Sequence, residues 1–310
     1  MELIRRPALG TRGDCVVTIG SFDGLHLGHR ALIERLQWHA QQRALPAMML
    51  SFEPLPREFL QPADPPTRLT NLRERWRLLE ASGLQRLYLL PFDERLRSLT
   101  GLQFMQLLAD AGARMVVIGH DFRFGRGGEA SGEWCAARAG RFGFDVDVVP
   151  AVLLDGERIS SGRVRAALAH SDFERAQRLL GRRYAMIGRV RAGNRLGRTL
   201  GFATANIAVK RRRVPLQGVF AVRVSGAGLA AAPGVANLGT RPMVQGVETL
   251  LETHVFDFSG DLYGRELRVE FIARLRDELR FESMDAMVQQ MQRDAREARA
   301  LLGLSKSESE

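Results

Sequence analysis

Cysteine is scarce. Cys15 and Cys135 are the only 2 in 310 residues and stand far apart, which excludes a disulfide framework and a zinc site built on cysteine spacing, and suits a reducing cytoplasm. No segment approaches the uninterrupted apolar span of a membrane helix, and the opening MELIRRPALG holds no apolar core of signal-peptide length. The expectation is a soluble, unexported protein with no membrane association. Aromatics make up 7% of the chain, and few stand among the basic residues, where a nucleic-acid surface needs them to stack bases. No internal repeat is present. What the chain does have is charge: 45 Lys+Arg against 35 Asp+Glu give a net +10. That excess favours acidic partners, whether nucleic acid, an anionic surface or phosphorylated small molecules. The basic residues are scattered, with Lys210 to Arg213 as a single run, so most read as a solvated surface. A 45% hydrophobic and 26% charged composition is that of a globular protein, and the length suggests two domains.

The stretch Cys15 to Arg30, CVVTIGSFDGLHLGHR, combines a β-branched apolar run, a glycine-punctuated loop and a helical pattern with Leu32, Ile33, Leu36 and Ala40 on one face. Glycines allow a sharp turn and close approach to a ligand, and the new helix offers unpaired N–H groups and the positive end of its dipole to an anion. His26 and His29 flank that point. Further along, Pro46 to Phe52, Gln85 to Phe92, Met115 to Ile118 and Phe144 to Val152 read as strands. Thr70 to Gly83, Thr100 to Gly112 and Gly132 to Gly140 read as helices, the first with a capping-type start followed by Glu74. A proline-rich loop spans Gln61 to Pro66. Strand–helix alternation at this spacing implies a mainly parallel sheet covered by helices on both faces, with ligands beyond the carboxyl ends of its strands. Three polar loops fall at such ends: Gly20 to His29, Gly119 to Gly125 (GHDFRFG) and Ile159 to Arg165 (ISSGRVR). From Gly181 onward, short glycine-punctuated runs indicate a small antiparallel barrel or sandwich. A C-terminal helix follows, whose Met284, Met287, Val288 and Met291 read as core packing, and SKSESE ends the chain as a disordered tail.

An imidazole pair in His26-Leu27-Gly28-His29 can contact the phosphates of a nucleotide and stabilise charge building on a phosphorus under attack. A lone histidine, such as His39 or His170, reads instead as a surface or satisfied core residue. Ser160, Ser161 and Arg165 add hydroxyls and a guanidinium fork near a helix start, which suits an anion, while Ser161 also serves as a helix cap on the simpler reading. Gly193 to Ile207, GNRLGRTLGFATANI, is by itself a weak phosphate-loop signal, since glycine-rich hairpins are common. Glu252 lies in an alternating strand, where an acidic residue is usually just solvated.

Gly20-Ser21-Phe22-Asp23-Gly24-Leu25-His26-Leu27-Gly28-His29 resembles the signature of nucleotidylyltransferases with a His-x-Gly-His motif. Its flanks, with Gly119 to Gly125 and Ile159-Ser160-Ser161, resemble the bacterial bifunctional riboflavin kinase/FMN adenylyltransferase family, and the likeness covers nearly the whole chain. The resemblance implies a Rossmann-like α/β nucleotidylyltransferase domain over residues 1–182, a β-barrel riboflavin kinase domain with a C-terminal helix over 183–305, and a tail at 306–310. Gly20, Phe22, Asp23, Gly24, His26, Gly28, His29, Asp121, Ser160, Ser161 and Arg165 would form the adenylyltransferase site, with His26 and His29 on the ATP phosphates. In the kinase domain, GFATAN is similar to the family's Gly-Phe-Pro-Thr-Ala-Asn motif. Gly193, Gly197, Gly201, Thr204, Asn206, Asn237 and Arg241 would bind ATP and flavin, Thr204 and Asn206 would hold Mg²⁺, and Glu252 would be the catalytic base. Gly260 to Gly264 also matches a family signature on the flavin side. Three positions depart from the family pattern: Gly162 and Met243 stand in place of threonine, and Ala203 in place of proline. The implied activity converts riboflavin to FMN and then FMN to FAD, each step with ATP and Mg²⁺, without nucleic-acid or membrane partners. Competing readings are a flavin or nucleotide sensor that has lost one catalysis, and, from the charge and a histidine motif related to that of aminoacyl-tRNA synthetases, a nucleic-acid binder.

Overall fold

A computed structural model describes residues 1–5, 13–191, 202–211, 213–243 and 246–304, with the side chains of 5, 240–243 and 246–248 left out. The chain divides into two compact units, residues 1–66 with 75–161, and residues 67–74 with 162–310. The expected tail at 306–310, and Gly193, Gly197 and Gly201, lie outside the described residues.

The first half of the chain supplies β1 (Glu2–Arg5), β2 (Cys15–Ile19), α1 (Leu27–Gln42), β3 (Ala47–Glu53), α2 (Pro56–Leu60), α3 (Leu72–Ala81), β4 (Arg86–Pro91), α4 (Glu94–Arg97), α5 (Gly101–Asp110), β5 (Ala113–Gly119), β6 (Arg123–Phe124), β7 (Ala130–Ser131), α6 (Gly132–Ala136), β8 (Asp145–Val149), β9 (Leu153–Leu154) and β10 (Glu157–Arg158). Six of these strands form one parallel sheet in the order β1-β4-β3-β2-β5-β8. The expected parallel α/β architecture is therefore present, and β1 adds an edge strand that the sequence reading left out.

Every residue of β2 is buried, as a central strand covered on both faces requires. On one face Val16, Met49, Leu87 and Val117 pack with Ile33 and Leu36 of α1, while on the other Val17, Leu50, Tyr88 and Val116 pack with Phe104 and Leu108 of α5. Helix α5 starts on the expected Thr100, which accepts the Gln103 N–H while Gln103 returns a bond to the Thr100 N–H. Helix α6 stops at Ala136 and passes to a 3₁₀ turn at Ala139–Phe142, shorter than the helix read from sequence.

Helix α1 is also tied to β8 by charge. Asp147 accepts from His39 Nε2 at 2.6 Å and from Arg35, and Arg43 reaches Asp145 at 3.0 Å. His39, read from sequence as a surface or satisfied core residue, is the latter, buried and bonded to Asp147. Burial raises the pKa of Asp147, but the hydrogen bonds from His39 and Arg35 more than offset it, and the net effect holds the carboxyl below its ordinary value.

The second half supplies α7 (Ser161–Ala169), α8 (Phe173–Leu180), β11 (Ala185–Arg191), β12 (Ala205–Ala208), β13 (Gly218–Gly226), β14 (Leu229–Met243), β15 (Gly246–Val255), β16 (Glu266–Arg276) and α9 (Met284–Leu301). The strands close into an antiparallel barrel in the order β11-β12-β15-β14-β13-β16, which resolves the barrel-or-sandwich alternative. Phe220, Phe271, Leu238, Leu251, Leu267 and Ile207 are buried in this unit, with Phe173 of α8 edge-on to Phe220.

The methionine face of α9 is not the expected core stripe: Met284 is exposed and Met287, Val288 and Met291 are half-buried. The helix packs instead through Ala295, Ala298 and the following Leu302 against Ala221, Phe256 and Ala273. Asp294, itself buried, pairs with Arg276 through both carboxylate oxygens. Small residues let the helix approach the barrel closely, and the ion pair fixes its register.

The segment Thr67–Glu74 is stitched into this same unit. Glu74 accepts the Ile187 N–H at 2.7 Å and pairs with the fully buried Arg211, whose Nη1 donates to the Tyr184 hydroxyl at 2.7 Å. That hydroxyl donates in turn to the Leu69 carbonyl at 3.0 Å, and Asn71 Nδ2 donates to the Val209 carbonyl. Asn71, rather than Thr70, caps α3, accepting the Glu74 N–H while Glu74 accepts its own.

Removing one partner of a buried ion pair strands the other, so Glu74→Ala should lower stability by about 3–5 kcal/mol in urea denaturation. Asp147→Asn should destabilise at neutral pH. A depressed carboxylate contributes stability above its unfolded pKa of roughly 3.9 and loses it as pH falls through the lower folded value. The gap between the melting temperatures of variant and wild type should therefore close as the pH is taken below about 4.

Candidate active sites

The carboxyl ends of β2, β5 and β8 lie side by side, because Val17 pairs with Val116 and Ile118 with Val148 in parallel ladders. Gly20 to His29 and Gly119 to Gly125 therefore share one edge of the unit 1 sheet, and the Ile159 N–H, bonded to the Val152 carbonyl at 2.9 Å, brings the start of the third stretch back toward the end of β8, while residues 162–165 belong to unit 2. After β2 the chain enters the left-handed region at Phe22 (φ 48°) and Leu25 (φ 41°), conformations that cost energy for non-glycine residues and persist where the surroundings enforce them. Phe22, Asp23, Gly24, Leu25 and His26 are all buried.

His26 is the N-cap of α1, and its Nδ1 accepts the His29 N–H at 3.2 Å. The neutral ring then carries its proton on Nε2, the nitrogen that can donate to a phosphate oxygen. The rings of His26 and His29 stack with centroids 3.7 Å apart and planes 14° from parallel, and Phe22 lies 5.0 Å from His29. A Cβ at Gly28 would crowd the His26 ring at 3.2 Å.

The other two loops close on the same turn. The Ile159 carbonyl lies 3.6 Å from where a Gly28 Cβ would sit, and the Ser161 hydroxyl donates to the Asp23 carbonyl at 2.8 Å. Ser161 is the first residue of α7, with its hydroxyl committed across to Asp23. Asp121 lies against Gly119, close to Leu32 one turn beyond His29, and pairs with Arg158 of β10. Thus Gly20, Phe22, Asp23, Gly24, His26, Gly28, His29, Asp121, Ser160 and Ser161 belong to one strand-end cluster of unit 1. Arg165 belongs to unit 2, where its Nε donates to the Thr67 carbonyl at 2.5 Å. Cys15 and Cys135 are buried and free, and burial pushes both thiols up to about 11, so neither is a nucleophile at neutral pH.

In unit 2 the expected residues from separate strands fall into one rung. Asn206 of β12 pairs with Glu252 of β15, and Glu252 with Asn237 of β14. Paired residues in an antiparallel ladder point to the same side. The neighbouring Leu251 and Thr253 are buried while Glu252 is half-exposed, so the rung lies on the opposite face from those two core residues. Thr204 sits just before β12. His254, two residues along from Glu252, fixes that approach: its Nδ1 donates to the Ala203 carbonyl at 2.9 Å and its ring meets Phe202 edge-on. The alanine that replaces the family's proline is therefore held through its carbonyl. The backbone of Arg241 on β14 lies opposite that of Glu248 on β15, and its side chain falls outside the described residues, as does that of Met243. Gly162 is exposed on α7.

Sequence reasoning missed three residues here. His254 stood in the quoted motif without a role. Glu278, after β16, lays its carboxylate over Gly239, where a Cβ would sit 2.0 Å from its Oε1, and accepts from Asn237 Nδ2 at 3.4 Å. Arg75 is fully buried beside the β2 loop. A charged residue at a predominantly apolar helical face is the signal that could have pointed to Arg75; only pairing across the barrel could have pointed to Glu278.

A model of the FAD synthetase family matches residues 10–163, and one of the riboflavin kinase family matches residues 180–302. The chain is 44% identical to the bifunctional riboflavin kinase/FMN adenylyltransferase of Pseudomonas fluorescens over 93% of both chains. It is 42% identical to that of Escherichia coli strain K12 over 94% of both. Among solved structures, a macrolide-efflux protein from Streptococcus pneumoniae aligns with a TM-score of 0.76 at 32% identity, over 93% of this chain and 94% of its own. Among the described residues of this chain, no helix is long and apolar enough to cross a membrane.

Proposed function

The chain belongs to the bifunctional riboflavin kinase/FMN adenylyltransferase family, and on that premise we propose a division of its two chemistries between residues 183–305 and residues 1–182. It phosphorylates riboflavin to FMN with one ATP and adenylylates FMN to FAD with a second, releasing pyrophosphate. The observation that carries the assignment of residues is that each unit builds its own polar constellation, one at a parallel strand edge and one on a barrel rung.

In the kinase step, the Glu252 carboxylate takes the proton from the ribityl 5′-hydroxyl as that oxygen attacks the γ-phosphorus of ATP and ADP departs. Asn206 and Asn237 flank Glu252 in the rung and orient the two substrates, and Arg241 and the glycines Gly193, Gly197 and Gly201 complete the nucleotide and flavin contacts. The Thr204 hydroxyl and Asn206 carboxamide are hard oxygen donors of the kind Mg²⁺ accepts. Among the described residues no cluster of three or more His, Cys, Asp or Glu is built to hold a metal; the fit is to an ion whose remaining ligands are phosphate and water. Bound there, Mg²⁺ supplies charge neutralisation on the transferring phosphoryl group.

In the adenylyl step, a phosphate oxygen of FMN attacks the α-phosphorus of ATP and the bond to pyrophosphate breaks. His26 and His29 donate to the phosphate oxygens, and the N-terminus of α1 adds its dipole where negative charge gathers. Asp121 is assigned to the nucleotide and flavin side, and Ser160 and Ser161 to the phosphate side. Catalysis at both centres rests on alignment and charge stabilisation. The free, buried cysteines support a cytoplasmic setting, and small molecules are the partners on this reading, with neither nucleic acid nor membrane involved.

His29→Ala should lower FAD formation from supplied FMN by about 10²–10³-fold and leave riboflavin phosphorylation unchanged. Glu252→Gln should lower phosphorylation by about 10²–10⁴-fold and leave adenylylation of supplied FMN unchanged. Chromatographic separation of FMN and FAD reads both. Loss of the opposite activity in either variant would overturn the assignment, and a wild-type protein that accumulates neither flavin would favour the sensor reading.

A further inference from the structure

An arginine with almost no solvent exposure is rare, because burying the charge is costly unless it is paired and hydrogen-bonded. Arg75, the fourth residue of α3, is 1% exposed and among the largest fully buried side chains of the protein. Its bonds converge on one place. Nη1 donates to the Ser21 carbonyl at 2.8 Å and to Ser51 Oγ at 3.3 Å, and Nη2 donates to Glu53 Oε2 at 3.1 Å and the Phe52 carbonyl at 3.4 Å. Ser51 Oγ also donates to the Ser21 carbonyl at 3.4 Å.

These partners mark the point where β2 and β3 cease to pair. The ladder between them ends at Ile19 and Leu50, with a last bond from the Gly20 N–H to the Leu50 carbonyl at 3.1 Å. Beyond it β3 continues to Glu53, while the chain after β2 turns away into the left-handed residues Phe22 and Leu25 and on to His26. Strained residues of this kind stay in place only where neighbouring contacts over-determine them. A planar guanidinium with several donors in a fixed fork can bridge two diverging strands, which the single point charge of a lysine cannot reproduce.

We infer that Arg75 is a positioning residue for adenylyl transfer: by clipping the Ser21 carbonyl to the end of β3 it fixes the loop that delivers His26 and His29 to the nucleotide phosphates. Arg75 itself contacts main-chain and side-chain groups of the protein, and acts through that loop. The inference rests on the assignment of adenylyl transfer to the histidine turn.

The test uses the full-length protein and both activities. Arg75→Met keeps the volume and removes the fork. The expected result is a fall in kcat for FAD formation from FMN of about tenfold or more, since a displacement of roughly 1 Å at a catalytic group costs on that order. Riboflavin phosphorylation should stay within about twofold and the melting temperature above that of the assay. Arg75→Lys should recover part of the loss. Adenylyl transfer at the wild-type rate in Arg75→Met, or parallel loss of both activities with full recovery of both in Arg75→Lys, would overturn the inference. If Arg75→Met does not fold, Arg75→Lys decides: a kcat for FAD formation lowered by about threefold or more, with phosphorylation intact, supports the positioning role, and a wild-type rate refutes it. His29→Ala, assayed alongside, separates the two levels. Should it retain FAD formation, the site assignment fails whatever Arg75 does; should it lose FAD formation while Arg75→Met keeps it, the positioning role alone fails.

Discussion

The hydrogen bond from the His29 N–H to His26 Nδ1 is the constraint around which unit 1 is arranged. It makes a histidine the cap of α1, fixes that histidine's tautomer and lays the second imidazole against the first. For the bond to form, the loop from β2 must arrive at a set angle, which explains two left-handed non-glycine residues in four positions. The surrounding contacts then read as supports for one short turn: the Ser161 hydroxyl on Asp23, the Ile159 carbonyl behind Gly28, the guanidinium of Arg75 on Ser21, and the Asp147 clamp on the far half of α1. A helix N-terminus already favours an anion, and here it is joined by two imidazoles held rigidly.

Unit 2 solves a related problem with different means. No helix end presents its candidate catalytic groups; strand register does. Asn206 of β12 is brought by antiparallel pairing to one rung with Glu252 and Asn237 of the later β14–β15 hairpin. The side chains are positioned by closure of the barrel, with Glu278 accepting from Asn237 and His254 bonded to the Ala203 carbonyl just ahead of β12. The buried Glu74–Arg211 pair and its bonds to Tyr184 and Ile187 secure a strap from an earlier part of the chain within the same unit. A buried ion pair of this sort is better at specifying one arrangement than at adding stability.

The alternation of strands and helices was legible in the sequence because it rests on local periodicity, and the histidine turn was legible because its parts are consecutive. Thr100 announced α5, and the change of texture after Gly181 announced the barrel. Features made by long-range pairing were not legible. Glu252 could be singled out by resemblance, but its alignment with Asn206 and Asn237 depends on a register that no local pattern encodes. The Thr67–Glu74 strap looked like a loop and a helix start, since nothing local tells that Glu74 is paired with Arg211. The methionine face of α9 misled for a physical reason: small residues on a helix allow closer packing than large flexible ones, so Ala295 and Ala298 took the contact. Arg75 was hidden because an arginine in a helix is ordinarily solvated.

If the two activities rest on two separate sets of groups, one around His26 and His29 and one around Glu252, each can be silenced without the other. Mixing the His29→Ala and Glu252→Gln proteins in one reaction with riboflavin, ATP and Mg²⁺ tests it directly. The Glu252 variant alone should leave riboflavin unconverted, the His29 variant alone should accumulate FMN, and the mixture should make FAD. No FMN accumulation by the His29 variant, or formation of FAD from riboflavin by either variant alone, would contradict that separation.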